Sequence, residues 1–325
     1  EILCPAYTFF ATNTPIFLTG ATPVLVDCDE YGNMNVNEIE NKITSRTKAI
    51  VVTHMWGYPC QMDKIRDIAD KYHLYLLEDC SHAHGGSYKG KKLGEWGDVA
   101  AFSLQGNKII TGGEGGILIT NDKNIYDRAI LLGHYNKRCK KEIDKNSPIY
   151  KYSVTGKGMK LRAHPLAIRI AYEQFKDLDD INSQKQEYAK LIIEQLKDIK
   201  GLEVIKPMKD ATNSWYALII KYHPEYMNNV SREKFVDAVI AEGGVEIDIP
   251  NSTCPVNYLE LFKYPDFLYD NYRNKIRYNE EDFPNATKFY NQIIKLPVWE
   301  QKDDEEIVYK YIRAIKKVTN NIDEL

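Results

Sequence analysis

Short apolar runs alternate with helical patterns through roughly the first third of the chain. Residues 2–4 (Ile-Leu-Cys) open on a strand, residues 21–27 and 47–53 read as two more, and residues 36–43 lie between them as a helix. Over residues 62–72 the positions Ile65, Ile68 and Ala69 fall three and four apart, which puts them on one face of a helix. Residues 73–77 (His-Leu-Tyr-Leu-Leu) are mostly apolar and are followed by two acids. That pattern suits a buried parallel strand delivering a carboxylate at its carboxyl end. The alternation predicts a mostly parallel sheet covered by helices. Residues 117–120 return as a strand after a glycine-rich loop.

Beyond this region the pattern loosens. Residues 133–160 are polar and basic, with Lys137-Arg138 and Lys140-Lys141, and read as a solvated loop or as a contact for a substrate phosphate. Pro165 suits the first turn of a long helical stretch that reaches Ile199, with a break near Asp179-Asp180. Gly201 opens a second unit: strands at 202–205, 215–221 and 245–248, and helices at 232–241, 284–293 and 305–318. Between them, residues 251–283 carry seven aromatics from Tyr258 to Tyr278, which suits either a packed irregular loop or an aromatic substrate wall. The expected organisation is a large domain over residues 1–200 and a smaller α+β domain over residues 201–325.

Composition narrows the function classes. Charged residues make up 27 % of the 325 positions and the net charge is −3, so neither a nucleic-acid surface nor a polybasic membrane patch is indicated. The mean hydropathy is −0.46, and no apolar run is long enough to span a membrane or to read as a signal peptide. Cys4, Cys28, Cys60, Cys80, Cys139 and Cys254 are scattered without a Cys-x-x-Cys pair, which fits reduced thiols in a cytoplasmic protein with no metal site. Cys80 beside Asp79 has no base placed for it, and burial explains it as well as reactivity does.

The chemistry concentrates between Asp79 and Lys108. The segment Glu78-Asp79-Cys80-Ser81-His82-Ala83-His84-Gly85 is followed by Phe102-Ser103-Leu104-Gln105-Gly106-Asn107-Lys108 and then by Gly112-Gly113-Glu114-Gly115-Gly116. An acid at a strand end and a lysine on a Ser- and Gly-rich loop are what pyridoxal phosphate requires. The acid keeps the pyridine nitrogen protonated, which makes the ring an electron sink, and the lysine carries the cofactor as a Schiff base. On residues alone, a solvated loop remains the alternative for both.

These segments, with Pro5-Ala6-Tyr7-Thr8-Phe9-Phe10-Ala11-Thr12, Gly20-Ala21-Thr22-Pro23-Val24 before Asp27, Gly158-Met159-Lys160-Leu161-Arg162 and a closing strand Leu296-Pro297-Val298-Trp299, resemble the DegT/StrS family. Those are pyridoxal phosphate-dependent sugar aminotransferases of the aspartate aminotransferase fold (type I). The resemblance runs over nearly the whole chain in family order. It implies an α/β fold: a mostly parallel sheet of the seven-stranded type in a large cofactor domain, with a smaller C-terminal α+β domain.

The resemblance also implies roles by position. Lys108 is expected as the Schiff-base lysine, Asp79 as the partner of the pyridinium nitrogen, and His82 as a neighbour of the cofactor ring and its phenolic oxygen. Phe9 is expected to stack on the ring, where packing in the core is its other reading. Ser103 and Gln105 are expected at the cofactor, Ser103 binding its phosphate. Arg162 is expected to reach the neighbouring subunit's site, with an ordinary surface arginine as the alternative. His54, His84 and His134 are read as structural. Lys108 stands where a dehydrating branch of the family carries histidine, so amination is expected.

The implied reaction moves an amino group from glutamate or glutamine to a keto-sugar, first of all a nucleotide-linked one, through pyridoxamine phosphate. A cyclitol ketone, suggested by Gln105, and a small phosphorylated ketone are the alternative acceptors. A non-catalytic sensor or assembly relative is the reading from another class. The family also implies a homodimer with shared active sites. It further implies roughly sixty residues ahead of Glu1, with a loop at a helix N-terminus that binds the cofactor phosphate.

Overall fold

Runs such as Pro23–Val26 and Ala49–Thr53 are buried along their whole length, so they suit the middle of a sheet covered on both faces. The computed structural model describes residues 1–269, 272 and 276–325. Its large sheet contains β1 (Ile2–Pro5), β2 (Pro23–Val26), β3 (Ala49–Thr53), β4 (Tyr75–Asp79), β5 (Val99–Ser103) and β6 (Gly116–Ile119). The order is β2-β1-β3-β4-β5-β6. The first five strands are parallel, and β6 returns antiparallel to β5. The mostly parallel α/β sheet is as expected, with six strands among the described residues against a seven-stranded type.

Helices α1 (Val36–Lys42), α2 (Met62–Lys71), α3 (Lys123–Gly133), α4 (Pro165–Lys176) and α5 (Leu178–Leu196) follow in the first part of the chain. Helix α2 buries Ile65 and Ala69 of its predicted stripe and adds Met62, while Ile68 is half-buried. The side chain of Asp122 starts α3 by accepting the amides of Asn124 and Ile125 at 2.6 and 3.2 Å. The break between α4 and α5 falls at Asp177, before the expected Asp179-Asp180. Those two acids sit in the first turn of α5, where the positive end of the helix dipole favours them, so they begin a helix and do not end one.

Residues 133–160 are more ordered than a solvated loop. They hold helical turns at Lys137–Glu142 and Tyr150–Tyr152, and Cys139 and Ile143 pack with Ile130 and Leu131 in a small apolar cluster. The basic residues had masked these few apolar ones.

The second sheet has β7 (Leu202–Val204), β8 (Leu218–Tyr222) and β9 (Ile293–Leu296), antiparallel in the order β7-β8-β9. Strand β8 begins at Leu218 and not at Trp215, because Trp215 has φ 51°, a left-handed conformation that no strand admits. The strand expected at 245–248 is reduced to a single bridge, Asp248 to Lys295, after a turn that closes Ile247 on Gly244. The closing strand stops at Leu296, since Pro297 has no amide hydrogen to continue a ladder.

Helices α6 (Arg232–Ala241), α7 (Pro284–Gln292) and α8 (Glu305–Asn320) complete the chain. The aromatics of residues 251–283 mainly pack: Phe262, Tyr269 and Tyr272 surround Phe17, with ring centroids 5.3 to 5.5 Å away. Part of that passage (270, 271 and 273–275) lies outside the described residues.

One apolar cluster runs from Cys4 to Val318 and joins the small sheet to one face of the large one. A second, with Leu3, Ile50, Ile65 and Leu76, fills the other face. A polar tie accompanies the first. Asp27, buried at the end of β2, accepts the amides of Asn285 and Ala286 at 2.9 and 2.8 Å and so caps the start of α7. No helix among the described residues is long and apolar enough to cross a membrane.

Candidate active site

In a parallel sheet the strands end together, and the crevice beyond their carboxyl ends is where side chains from different strands meet. Here residues at or beyond the ends of β1, β3, β4 and β5 line a cavity of about 730 Å³, closed on the far side by Tyr216, Asp248 and Lys295. That volume suits a small molecule and its reaction partner.

The pair Glu78-Asp79 divides by strand alternation, since successive side chains face opposite sides. Asp79 faces the cavity. One carboxylate oxygen accepts the Thr12 hydroxyl at 2.6 Å and the other the Ser81 amide at 3.0 Å. Glu78 faces the core, where it meets His54 Nε2 at 3.1 Å and the amides of Gly94 and Gly97 at 2.9 and 2.6 Å. Burial pushes the Glu78 carboxyl up, but the His54 contact and the two amides outweigh it and leave the pKa below its usual range. The Cys60 amide donates to His54 Nδ1, which leaves Nε2 to face Glu78.

Lys108 sits on the turn after β5, its amide bonded to the Gln105 carbonyl at 3.0 Å. Its Nζ lies 4.6 Å from the centre of the Tyr216 ring, an ammonium over an aromatic face. Burial lowers its pKa, and the charge of Asp79 works against that shift. The direction makes the amine easier to free of its proton.

His82 is buried and stacks on Tyr216, with Trp56 nearly parallel to both. Burial drives its pKa well below the usual value and the charge of Lys108 adds to that, so the imidazole is neutral. Its Nδ1 is buried without a hydrogen-bond partner among the described residues. Tyr216 reaches this place because the segment Ser214-Trp215-Tyr216 runs against Gly57. A Cβ at Gly57 would lie 2.7 Å from Ser214 Oγ and 2.9 Å from the amides of Trp215 and Tyr216, so only glycine permits the approach. Trp56, next to it, has φ 57°, backbone strain of the kind that collects at functional sites.

The cavity brings together six of the seven expected site residues: Lys108, Asp79, His82, Phe9, Ser103 and Gln105. Phe9 is 38 % exposed, so it belongs to the cavity wall and not to the core. Ser103 Oγ accepts the Gln105 amide at 3.3 Å, and Gln105 in turn accepts the Asn107 amide at 3.1 Å, which shapes the turn that carries Lys108. Arg162 lies outside the cavity, exposed, with its guanidinium 5.7 Å from the centre of the Tyr135 ring. The basic residues 137–141 do not line the cavity either. Thr12, Trp56, Tyr216, Asp248 and Lys295 do line it and were not among the expected residues. Thr12 stood in a quoted motif without a role, and nothing in the local pattern marked the others.

All six cysteines are free and buried. Burial and the charges of Glu78 and Asp79 push the Cys80 thiol far up, which removes it as a nucleophile.

The residues present fit pyridoxal phosphate. A carboxylate and a primary amine face one cavity with a flat aromatic wall, and the His82 imidazole lines it beside them.

A sequence model of the DegT/DnrJ/EryC1/StrS aminotransferase family matches residues 1–313. A GDP-perosamine synthase of Escherichia coli is 37 % identical over 82 % of this chain and 70 % of its own length. A dTDP-3-amino-3,6-dideoxy-alpha-D-galactopyranose transaminase of Aneurinibacillus thermoaerophilus is 31 % identical over 98 % of this chain and 78 % of its own. Among solved structures, an aminotransferase from Psychrobacter cryohalolentis superposes with a TM-score of 0.82 at 27 % identity, over 99 % of this chain and 82 % of that one.

Proposed function

The chain belongs to the DegT/DnrJ/EryC1/StrS aminotransferase family of pyridoxal phosphate enzymes, and on that premise we propose that it aminates a keto-sugar, most simply a nucleotide-linked one. The named relatives act on nucleotide-linked sugars, and this supports the substrate class. The observation that carries the site is the meeting of Asp79, Lys108 and His82 in one cavity.

In this reading Lys108 Nζ would hold the cofactor at its aldehyde carbon and, once free, would take the proton from the α-carbon of a donor such as glutamate or glutamine. When bound, pyridoxal phosphate supplies an electron sink that stabilises negative charge at that carbon. Asp79, held by Thr12 and Ser81, keeps a proton on the pyridine nitrogen. His82 would meet the phenolic oxygen, Phe9 would cover a ring face, and Ser103 and Gln105 would receive the phosphate end.

The enzyme works as a homodimer with shared sites. Exposed Ile117, Leu118 and Ile119 on β6 and Leu166, Ile170 and Phe175 on α4 support this, because large apolar side chains left exposed in number are suited to an interface. Arg162 lies three residues ahead of α4 and would reach the partner's site from there. Six unpaired cysteines support a cytoplasmic location. The separate sheets support a large unit at 1–200 and a small one at 201–325.

The test is product formation from a panel of keto-sugar nucleotides with glutamate and the purified, cofactor-loaded protein. Amino-sugar product with matching 2-oxoglutarate is expected from the wild type and none from Lys108→Ala. Equal turnover by both proteins rejects the assignment of Lys108.

A further inference from the structure

Strand β9 reads Ile293-Ile294-Lys295-Leu296, and its three apolar side chains are buried. Lys295 interrupts that run and points its amine into the cavity. Its placement is rigid. Both backbone bonds of an antiparallel bridge tie it to Asp248, from Asp248 N–H to the Lys295 carbonyl at 3.0 Å and from Lys295 N–H to the Asp248 carbonyl at 2.8 Å. The side chains then meet as well, Nζ to carboxylate at 2.8 Å.

The charges of the cavity assign themselves in pairs. Asp79 and Lys108 serve the cofactor, and the remaining charged groups among the lining residues are Asp248 and Lys295. Lys295 lines the same cavity as His82 and Lys108. An ammonium carries three donors, and Asp248 engages one of them. Two donors remain for a second anion. A substrate brings such an anion. The α-carbon of an amino-acid donor bears a carboxylate that must be held while its proton leaves, and a nucleotide-linked or phosphorylated ketone bears phosphate.

We propose that Lys295, positioned by Asp248, is the anion-binding residue for substrate in this site, and that its first ligand is the carboxylate of the amino-acid donor. The inference rests on the aminotransferase reading and adds the group that recognises the donor. It assigns Asp248 a positioning role through its backbone bridge to Lys295, which a change of the Asp248 side chain leaves in place. Asp248 also competes weakly with the incoming anion, so its removal has a defined sign.

The test uses cofactor-loaded protein and two unreactive probes, glutarate and inorganic phosphate, with binding measured by calorimetry. Lys295→Met should weaken glutarate by about tenfold or more, as expected for loss of a charge-assisted hydrogen bond, with cofactor content unchanged. The KM for glutamate should rise by a similar factor while kcat moves less than about threefold. Asp248→Asn leaves the ammonium and removes its competitor, so glutarate should bind about twofold tighter. If Lys295→Met spares glutarate but weakens phosphate by about tenfold, the anion site stands and its source is the acceptor's phosphate. Binding of both probes within about twofold of wild type in Lys295→Met overturns the inference, as does failure of wild type to bind either. Equal weakening by Asp248→Asn and Lys295→Met also overturns it, since a mere strut behaves that way. Wild-type turnover of glutamate keeps these outcomes separate from the aminotransferase reading, which fails only if no amino acid is turned over.

Discussion

Tyr216 lies flat on His82, with ring centroids 3.8 Å apart and planes 10° from parallel. The two come from distant parts of the chain and are brought together by the contact of Ser214-Trp215-Tyr216 with Gly57. The tyrosine therefore acts on the site in two ways. It shields the imidazole from water, and it presents an aromatic face to Lys108.

Removing that cover should release His82. In Tyr216→Ala the imidazole gains solvent, so its depressed pKa should climb toward the ordinary value, as read by NMR titration of the ring protons. Tyr216→Phe keeps the stack and should leave the titration where it is. Cofactor affinity should fall about tenfold in the alanine variant alone. An unmoved His82 titration in Tyr216→Ala shows that other groups provide the burial.

Asp79 and Thr12 should form a graded pair. Asp79→Asn should still bind the cofactor but slow the proton transfer by on the order of 10²-fold, because the pyridine nitrogen loses its charged partner. Thr12→Val removes the 2.6 Å hydrogen bond and leaves the carboxylate, so about a tenfold loss is expected. Single-turnover rates with glutamate measure both. An Asp79→Asn rate within about threefold of wild type contradicts the electron-sink role.

His84 should make the fold sensitive to acid. Burial lowers its pKa from 6.5 to about 4, with Lys108 adding to the shift and a backbone contact at Ser103 opposing it. The unfolded chain takes up this proton near its ordinary value and the folded chain resists it. The contribution is therefore complete above about pH 6.5 and is lost as the pH falls toward 4, on the order of 3 kcal/mol in all. In His84→Phe that part of the slope should vanish when urea unfolding is compared with wild type at each pH. Parallel curves for the two proteins locate the acid sensitivity elsewhere.

Arg162 tests the shared site. Mixing Arg162→Ala with Lys108→Ala protein should restore up to about a quarter of wild-type activity, because about half of randomly exchanged dimers are hybrids and each hybrid has one intact site. Subunit exchange is checked with separate tags. Exchange without recovered activity removes Arg162 from the partner's site.

The regular part of the fold was legible in the residues. Buried strands ending in acid, the α2 stripe of Ile65 and Ala69, and a lysine on a glycine-rich loop follow from local pattern, and the structure joins Asp79 and Lys108 in one cavity. The misses share a cause. Trp215 takes a left-handed conformation because of what packs on it, and Tyr216, Asp248 and Lys295 reach the cavity through contacts with sequence-distant backbone. Tertiary contacts of that kind leave no period in the chain. The acids Asp179 and Asp180 marked the break to within two residues, since acids favour the first turn of a helix.

The cap that Asp27 provides to α7 spans 258 residues of sequence. A ribosome that has released β2 has still to make most of the chain before the partner of that carboxylate exists. The main apolar cluster reaches further still, from Cys4 to Val318. During synthesis the early strands therefore wait with an unmatched charge at one end and uncovered apolar surface beside it. Such long-range closure makes folding slow and leaves the growing chain dependent on whatever shields that surface in the meantime.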